Sequence, residues 1–252
     1  RHRDRRELDA GRRQRGDCRG DVVGRGRGYR WRRRDHDARA IERCVDKSTT
    51  TFFLQRAGIP TPWTCTGTSG DAALEIVQEK LAQGCKLVQK PLFGAQGEGL
   101  RLISAPNDLA PPEEVNGAYY LQEFIASADG MHRDWRIFVS AGRVIAAMIR
   151  HGSSWITNIK QGARAEAAIP SQELADLALR AASCVGADYA GVDIIQDRSG
   201  APLVLEVNSM PAWQGLQRVT RTRIADSIVA PFLDACLGHT EQRSAPRGRE
   251  GA

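Results

Sequence analysis

The chemistry of this sequence starts from three residues, Asp193, Glu206 and Asn208. They lie in the stretch Tyr189 to Trp213, YAGVDIIQDRSGAPLVLEVNSMPAW. Two apolar runs, AGVDII and PLVLEV, flank the turn-prone pair Ser199-Gly200, which is the pattern of a β-hairpin. A two-residue loop at Ser199-Gly200 places Asp193 directly opposite Glu206. Like charges in that position repel, at roughly 0.2–1 kcal/mol for an exposed pair. Asn208 lies two residues past Glu206 and points to the same face. Three oxygen donors on one patch, two of them acidic, suit a hard cation such as Mg²⁺, which binds through a few carboxylates plus substrate phosphates. A hairpin with one solvated face is the other reading, and these residues alone do not choose between the two.

The elements that must position this patch are read from the chain before and after it. Order begins near Ala38. Asp46-Lys47 opens a helix that stops at Gly58, with Pro60 beyond it. Asp71 is a candidate N-cap for DAALEIVQEKLAQG, which ends at Gly84. In CKLVQKPLFGAQGEGLRLIS a strand, Lys86–Lys90, leads into Gly94, Gly97 and Gly99, and a second strand, Leu100–Ser104, leads out. Such glycines let backbone N–H groups approach an anion closely. The lysine precedes the glycines and no helix follows, so this is not a Walker loop; the GxxGxG spacing between strands is not a dinucleotide fingerprint. A glycine-rich hairpin without a ligand stays open as the alternative. Tyr119–Ile125 reads as a strand. DWRIFVSAGRVIAAMIR reads as a second hairpin through Ala141-Gly142, with Asp134 and Arg136 on one face and Arg150 closing the outgoing strand. HGSSWITNIKQGARAE is a polar loop. Ser171–Val185 is an amphipathic helix, and Thr222–Leu237 is a closing helix in which Pro231 predicts a kink. A polar tail, Gly238–Ala252, ends the chain.

The 252 residues suffice for one sizeable core or two small lobes. No apolar run is long enough to span a membrane and no secretory pattern is present. The six cysteines are widely spaced without a CxxC pair, which reads as reduced thiols in a cytoplasmic protein. The net charge of +6 comes from the stretch Arg1 to Arg39, and the remainder is slightly acidic. Residues 1–37 are Arg/Gly-rich and too poor in aliphatic residues to build a core. Three readings apply to them: a wrong-frame or mis-started segment, a flexible tail without a partner, or an arm for nucleic-acid phosphates.

The ordered set of motifs is specific: DK before a helix, a strand lysine then a glycine-rich hairpin, QEFI, DWR, an Arg-ended strand, a polar loop with TN, then GVDI and LEVN. From about Ala38 to about Leu237 the chain resembles the ATP-grasp superfamily, and within it the RimK-like amino-acid ligases. The resemblance implies an α+β fold in which two α+β lobes hold ATP between their sheets. It implies that Lys47 and Lys90 contact nucleotide phosphates and that the loop Gly94, Gln96, Gly97, Gly99 closes over them. Gln122, Glu123, Phe124 and Ile125 correspond to the hinge that meets the adenine edge. Asp134 and Arg136 correspond to a polar pair beside the nucleotide. Asp193, Glu206 and Asn208 correspond to the ligands of two Mg²⁺ ions, for which Mn²⁺ could substitute. Arg150 corresponds to an arginine that stabilises the transferring phosphoryl group, and Asn158 to an asparagine of the substrate loop.

The implied function is an ATP- and Mg²⁺-dependent, ADP-forming carboxylate–amine ligase that works through an acyl phosphate. Two departures bear on its acceptor. Ile156 stands where ribosomal-protein-modifying members carry an arginine, and Lys160-Gln161-Gly162 replaces their Arg-Gly-Gly-like turn. The WITN form is more similar to the branch that adds glutamate to folate- or pterin-type cofactors. The expected partners are glutamate and a small carboxylate acceptor, with no nucleic acid and no membrane; homo-oligomerisation is left open. Two alternatives remain, a ligase of a ribosomal-protein C-terminus and a truncated, non-catalytic nucleotide-binding protein. The family's preceding α/β domain is not legible in the first residues. Asp193→Asn or Glu206→Gln is expected to abolish turnover while leaving the fold intact.

Overall fold

The computed structural model describes residues 36–94 and 97–241. The Arg/Gly-rich stretch up to residue 35 and Gln96 therefore lie outside the described residues, as does the end of the polar tail. Asp37 caps helix α1 (Ala38–Val45), and Asp46 caps α2 (Lys47–Arg56) by accepting from the Ser48 and Thr49 N–H groups. Helix α3 (Gly70–Ala82) is capped by Ser69, whose side chain accepts from Ala72 N–H at 3.3 Å. The N-cap expected at Asp71 is corrected accordingly. Asp71 instead falls in the first turn, where a carboxylate suits the positive end of the helix dipole.

Four antiparallel strands form a small sheet: β1 (Thr64–Gly67), β2 (Leu87–Lys90), β3 (Arg101–Ile103) and β4 (Tyr119–Glu123), in the order β1-β4-β2-β3. Alternation along β4 decides its two faces. Tyr119 and Leu121 pack with Leu87 and Ile103 against Ala73 and Val77 of α3. Tyr120 and Gln122 therefore point the other way.

The large sheet has five antiparallel strands: β5 (Arg133–Ser140), β6 (Arg143–His151), β7 (Arg164–Ala167), β8 (Tyr189–Gln196) and β9 (Pro202–Asn208), in the order β7-β6-β5-β8-β9. One face is apolar. Ile137, Val139, Val192, Ile194 and Val207 pack under helix α4 (Gln172–Val185) together with Leu54 of α2. On the other face Phe138 and Met148 meet Leu216 of α5 (Gln214–Gln217) and Ile224 of α6 (Ile224–Glu241). By the same alternation, Asp134, Arg136, Arg150 and Asp193 share this second face.

The β8–β9 connection differs from the expected two-residue loop. It has five residues, Asp197 to Ala201, gathered by the Asp197 carboxylate, which accepts from Ser199 N–H at 2.8 Å and Ala201 N–H at 3.0 Å. Gln196 consequently pairs with Pro202, one residue out of the expected register. A β-bulge at Leu205 restores it, so that Asp193 faces Glu206 and Gly191 faces Asn208. The expected carboxylate pair is present, reached by a longer turn and a bulge that offset each other.

Helix α6 starts at Ile224 and runs on to Glu241, past the expected limits of Thr222 and Leu237. The Gln217 side chain holds Thr222 out of the helix by donating to its carbonyl at 3.0 Å and accepting from Ile224 N–H at 3.0 Å. Among the described residues no helix is long and apolar enough to cross a membrane.

Candidate active site

A cleft with about 220 Å³ of space opens between the two sheets. The small sheet, α2 and the glycine-rich loop contribute Lys90, Lys47, Gly94 and Gly97. Residues Gln122 to Ile125 form its hinge wall. The large sheet contributes Asp134, Arg150, Asp193 and Glu206, and the polar loop contributes Asn158. These residues, spread over most of the chain, thus share one cavity. Gly99, Arg136 and Asn208 are not among the residues that line it, and Gln96 is outside the described residues.

Lys90 donates to Gln122 Oε1 at 2.6 Å, and Lys47 donates to the Gly94 carbonyl at 2.8 Å. Burial lowers the pKa of both lysines, and the Glu206 carboxylate partly opposes it. Desolvated ammonium groups facing a cavity attract phosphate more strongly than lysines in water do. Phosphate is held by protonated lysine, so affinity is full below the folded pKa and is lost as pH rises through it. Affinity for ADP is therefore expected to begin falling on the alkaline side below the free-lysine value of about 10.4. Lys90→Met should flatten that limb in a calorimetric titration repeated across pH.

Four charges form a buried array beside the lysines. Arg136 grips Asp193 with two bonds, from Nε to Oδ1 and from Nη2 to Oδ2, the latter at 2.7 Å. Arg150 donates from Nε to Asp134 Oδ1 at 2.8 Å and from Nη2 to Asp134 Oδ2, and the same Nη2 lies 3.1 Å from Asp193 Oδ2. Burial pushes Asp134 above the usual carboxylate range despite Arg150. Burial acts on Asp193 too, but Arg136 and Arg150 outweigh it and hold this carboxyl below its ordinary value. Burial disfavours the Arg150 cation, yet Asp193 and Asp134 raise its pKa further.

In this array Asp134, which lines the cleft, gives both oxygens to Arg150, and Arg136 is turned onto Asp193. The Arg136 side chain crosses Gly191 so closely that a Cβ there would sit 3.1 Å from Arg136 Cδ and 2.8 Å from Pro211 Cβ. Asp193→Asn is therefore expected to lower stability as well as turnover, because it takes a carboxylate from the buried Arg150 and from the half-buried Arg136.

Whether the residues suit Mg²⁺ is decided by the donor set. Glu206 stands across from Asp193 and Asn208 lies two residues further along β9; of the Asn208 amide only the oxygen can ligate a cation. Among the described residues no cluster of three or more His, Cys, Asp and Glu occurs. Two carboxylates and an amide are what a cation needs when phosphate oxygens and waters complete its shell. The residues present fit it.

The hinge and the loops close the cleft. Glu123 N–H donates to the Trp63 carbonyl at 2.8 Å and Phe124 N–H to the Lys86 carbonyl at 2.9 Å. Ile125 N–H makes no backbone hydrogen bond among the described residues. Phe124 meets Trp155 of the polar loop edge-on, with ring centroids 6.2 Å apart. Lys160 of the same loop reaches Glu98 at 2.7 Å. Gly97 adopts φ +74°, and a Cβ on it would stand 2.5 Å from Asn158 Oδ1. Gly97→Val should therefore keep the glycine-rich loop off the polar loop. The expected result is about a tenfold weaker ADP affinity, near 1.4 kcal/mol, with a lower melting temperature as well, because a β-branched residue is strained at this φ. Trp155, Glu98 and Lys160 carried no sequence signal for these contacts. Burial pushes the Cys44 and Cys184 thiols up to about 11, which leaves these two thiols protonated and unreactive at neutral pH.

Two antiparallel sheets that enclose paired lysines and paired carboxylates define an ATP-grasp fold, and solved ATP-grasp ligases share it. Residues 44–232 match the RimK-like ATP-grasp domain, and the chain belongs to that family. It is 36% identical over 200 residues to the tetrahydromethanopterin:α-L-glutamate ligase of Methanococcus maripaludis, covering 77% of this chain and 67% of that protein. It is 35% identical over 215 residues to a probable α-L-glutamate ligase of Alkalilimnicola ehrlichii, covering 83% and 69%. Among solved structures it is similar to the ATP-grasp ligase PsnB in complex with a precursor variant, Mg and ADP. That likeness has 26% identity and a TM-score of 0.60, and it covers 76% of this chain and 60% of PsnB.

Proposed function

We propose that this chain carries the ATP site of an ADP-forming ligase that joins glutamate to a carboxylate of a small, pterin-type acceptor. The observation that carries the reading is the single cleft in which Lys47 and Lys90 face Arg150, Asp193 and Glu206. The likeness to the methanogen glutamate ligase supports glutamate as the amine and a pterin as the acceptor.

A carboxylate is a poor electrophile, so ATP first phosphorylates it to an acyl phosphate. The glutamate amine then attacks the acyl carbon, and phosphate leaves. Such transfer rests on positioning and charge stabilisation. Lys47 and Lys90 hold the phosphates, and Arg150 neutralises the oxygens that gain charge during transfer. Asp193, Glu206 and Asn208 would hold Mg²⁺, two ions in this reading with Mn²⁺ as a substitute, which supply Lewis-acid neutralisation of phosphate charge. The glycine-rich loop, set against Asn158 and tied by Glu98 to Lys160, excludes water from an easily hydrolysed intermediate. Free thiols at Cys44, Cys65, Cys85 and Cys184 support a cytoplasmic setting. A peptide acceptor is the second reading, favoured by the similarity to PsnB with its precursor.

Incubation with Mg-ATP, glutamate and tetrahydromethanopterin, read by mass spectrometry, tests the proposal. A glutamyl adduct formed with matching ADP is the expected product. ADP formed only with a peptide acceptor would shift the assignment to the second reading.

A further inference from the structure

Thr51 and Tyr120 are buried polar side chains outside the chemistry described so far. Tyr120 is 1% exposed and Thr51 7%, and their hydroxyls lie 2.8 Å apart. The Tyr120 hydroxyl also accepts from Gln122 Nε2 at 3.3 Å, and Gln122 Oε1 accepts from Lys90 Nζ at 2.6 Å. An ammonium group can only donate, so Gln122 must present its oxygen to Lys90. Its amide hydrogens then go to Tyr120 and to Thr64 Oγ1, the latter at 3.2 Å. The Tyr120 hydroxyl thus accepts from Gln122 and shares a further bond with the Thr51 hydroxyl, in which either oxygen can donate. The direction is fixed from Lys90 through Gln122 to Tyr120, and linked bonds of this kind strengthen one another.

The chain of bonds also spans two parts of the fold. Helix α2 is anchored through Leu54 in the core under α4, on the large sheet. Tyr120, Gln122 and Lys90 belong to the small sheet. Thr51 is therefore where the large-sheet body grips the cleft face of the small one. Lys47 lies one helical turn before Thr51 and on the same side of α2. The relay therefore ends on the helix that carries Lys47 and begins at Lys90.

We propose that the Thr51–Tyr120–Gln122 relay sets the position of Lys90 relative to Lys47, making Thr51 and Tyr120 positioning residues for nucleotide phosphates. The inference rests on the reading of the cleft as a Mg-nucleotide site. Tyr120→Phe removes one hydroxyl and keeps the ring in place, and Thr51→Val removes the other at nearly constant shape. The measurement is the calorimetric dissociation constant of ADP with Mg²⁺ on the whole chain. It is made for the wild type, both variants, Lys90→Met and the Tyr120→Phe/Lys90→Met double variant, with melting temperatures recorded in parallel.

Losing one net hydrogen bond that aims a charge should weaken ADP binding by about five- to tenfold. Thr51→Val should match Tyr120→Phe. In the Lys90→Met background Tyr120→Phe should add nothing, since the cycle isolates the coupling between them. Wild-type affinity in both hydroxyl variants would overturn the inference. So would an equal loss with and without Lys90, which is the signature of a merely structural bond. A wild type that binds no Mg-ADP would bring down the reading of the cleft, and the inference with it. Normal wild-type binding with unaltered variants would sink the inference alone.

Discussion

Glu206→Gln is expected to reduce turnover by more than about a hundredfold, since even outer-shell partners of metal ligands cost 10–100-fold. The same variant should melt within about 4 °C of the wild type. No hydrogen bond or ion pair holds the Glu206 side chain among the described residues, and it faces Asp193 across β8 and β9. Neutralising it relieves a cross-strand repulsion of roughly 0.2–1 kcal/mol. It also withdraws the charge that opposes the lowered pKa values of Lys47 and Lys90. The two effects have opposite sign, and a residual of about 1 kcal/mol moves the midpoint of a chain of this size by about 2–4 °C. Glu206→Gln is therefore a cleaner probe of the cation site than Asp193→Asn. Turnover and melting temperature, measured on one preparation, check both halves of the expectation.

Arg150→Met should be the most destabilising single change in the site. It leaves Asp134, 3% exposed, with neither of its bonds, while Asp193 keeps Arg136. Breaking a buried ion pair from one side costs about 3–5 kcal/mol, or about 6–20 °C in melting temperature. The loss should depend on pH, and its sign follows from Asp134. This carboxyl already titrates above its ordinary value because of burial, and removal of the arginine raises it further. A raised carboxyl pKa gives stability that is full below the unfolded value and lost as pH rises through the folded one. The deficit of the variant should thus be smaller at about pH 5 than at about pH 8. Arg150→Lys should not restore the wild type, because an ammonium group cannot make the forked pair with Asp134. Thermal denaturation at the two pH values decides it.

Much of this was legible in the sequence where short-range pattern and chemistry agree. The hairpin that opposes Asp193 and Glu206 could be read because strand period and turn residues both pointed to it. The correct register nevertheless came from two features that the pattern did not reveal, a five-residue turn and a bulge at Leu205. The edge strands β1 and β7 were missed for a physical reason. Each has four residues, and neither shows the buried–exposed alternation that marks a half-covered strand. The lysines, the hinge and the glycine-rich loop were found from their order along the chain. Their partners were not. Arg150 meets Asp134 only because two hairpin strands pair in one register, and Lys160 meets Glu98 across a separation of 62 residues. Thr51 and Tyr120 looked like ordinary helix and strand residues, since nothing local says that their hydroxyls converge.

The central claim is that the cleft between the sheets holds a metal–nucleotide complex on Asp193, Glu206 and Asn208. The most direct measurement is a crystal structure of the chain with ADP and Mn²⁺, with the metal located by its anomalous scattering. The account predicts a manganese peak in contact with Glu206 and Asp193, the nucleotide phosphates between Lys47 and Lys90, and the base against Ile125. Nucleotide bound elsewhere, or a cleft in which Asp193 stays wholly engaged by Arg136 and Arg150 with no metal beside Glu206, would contradict it.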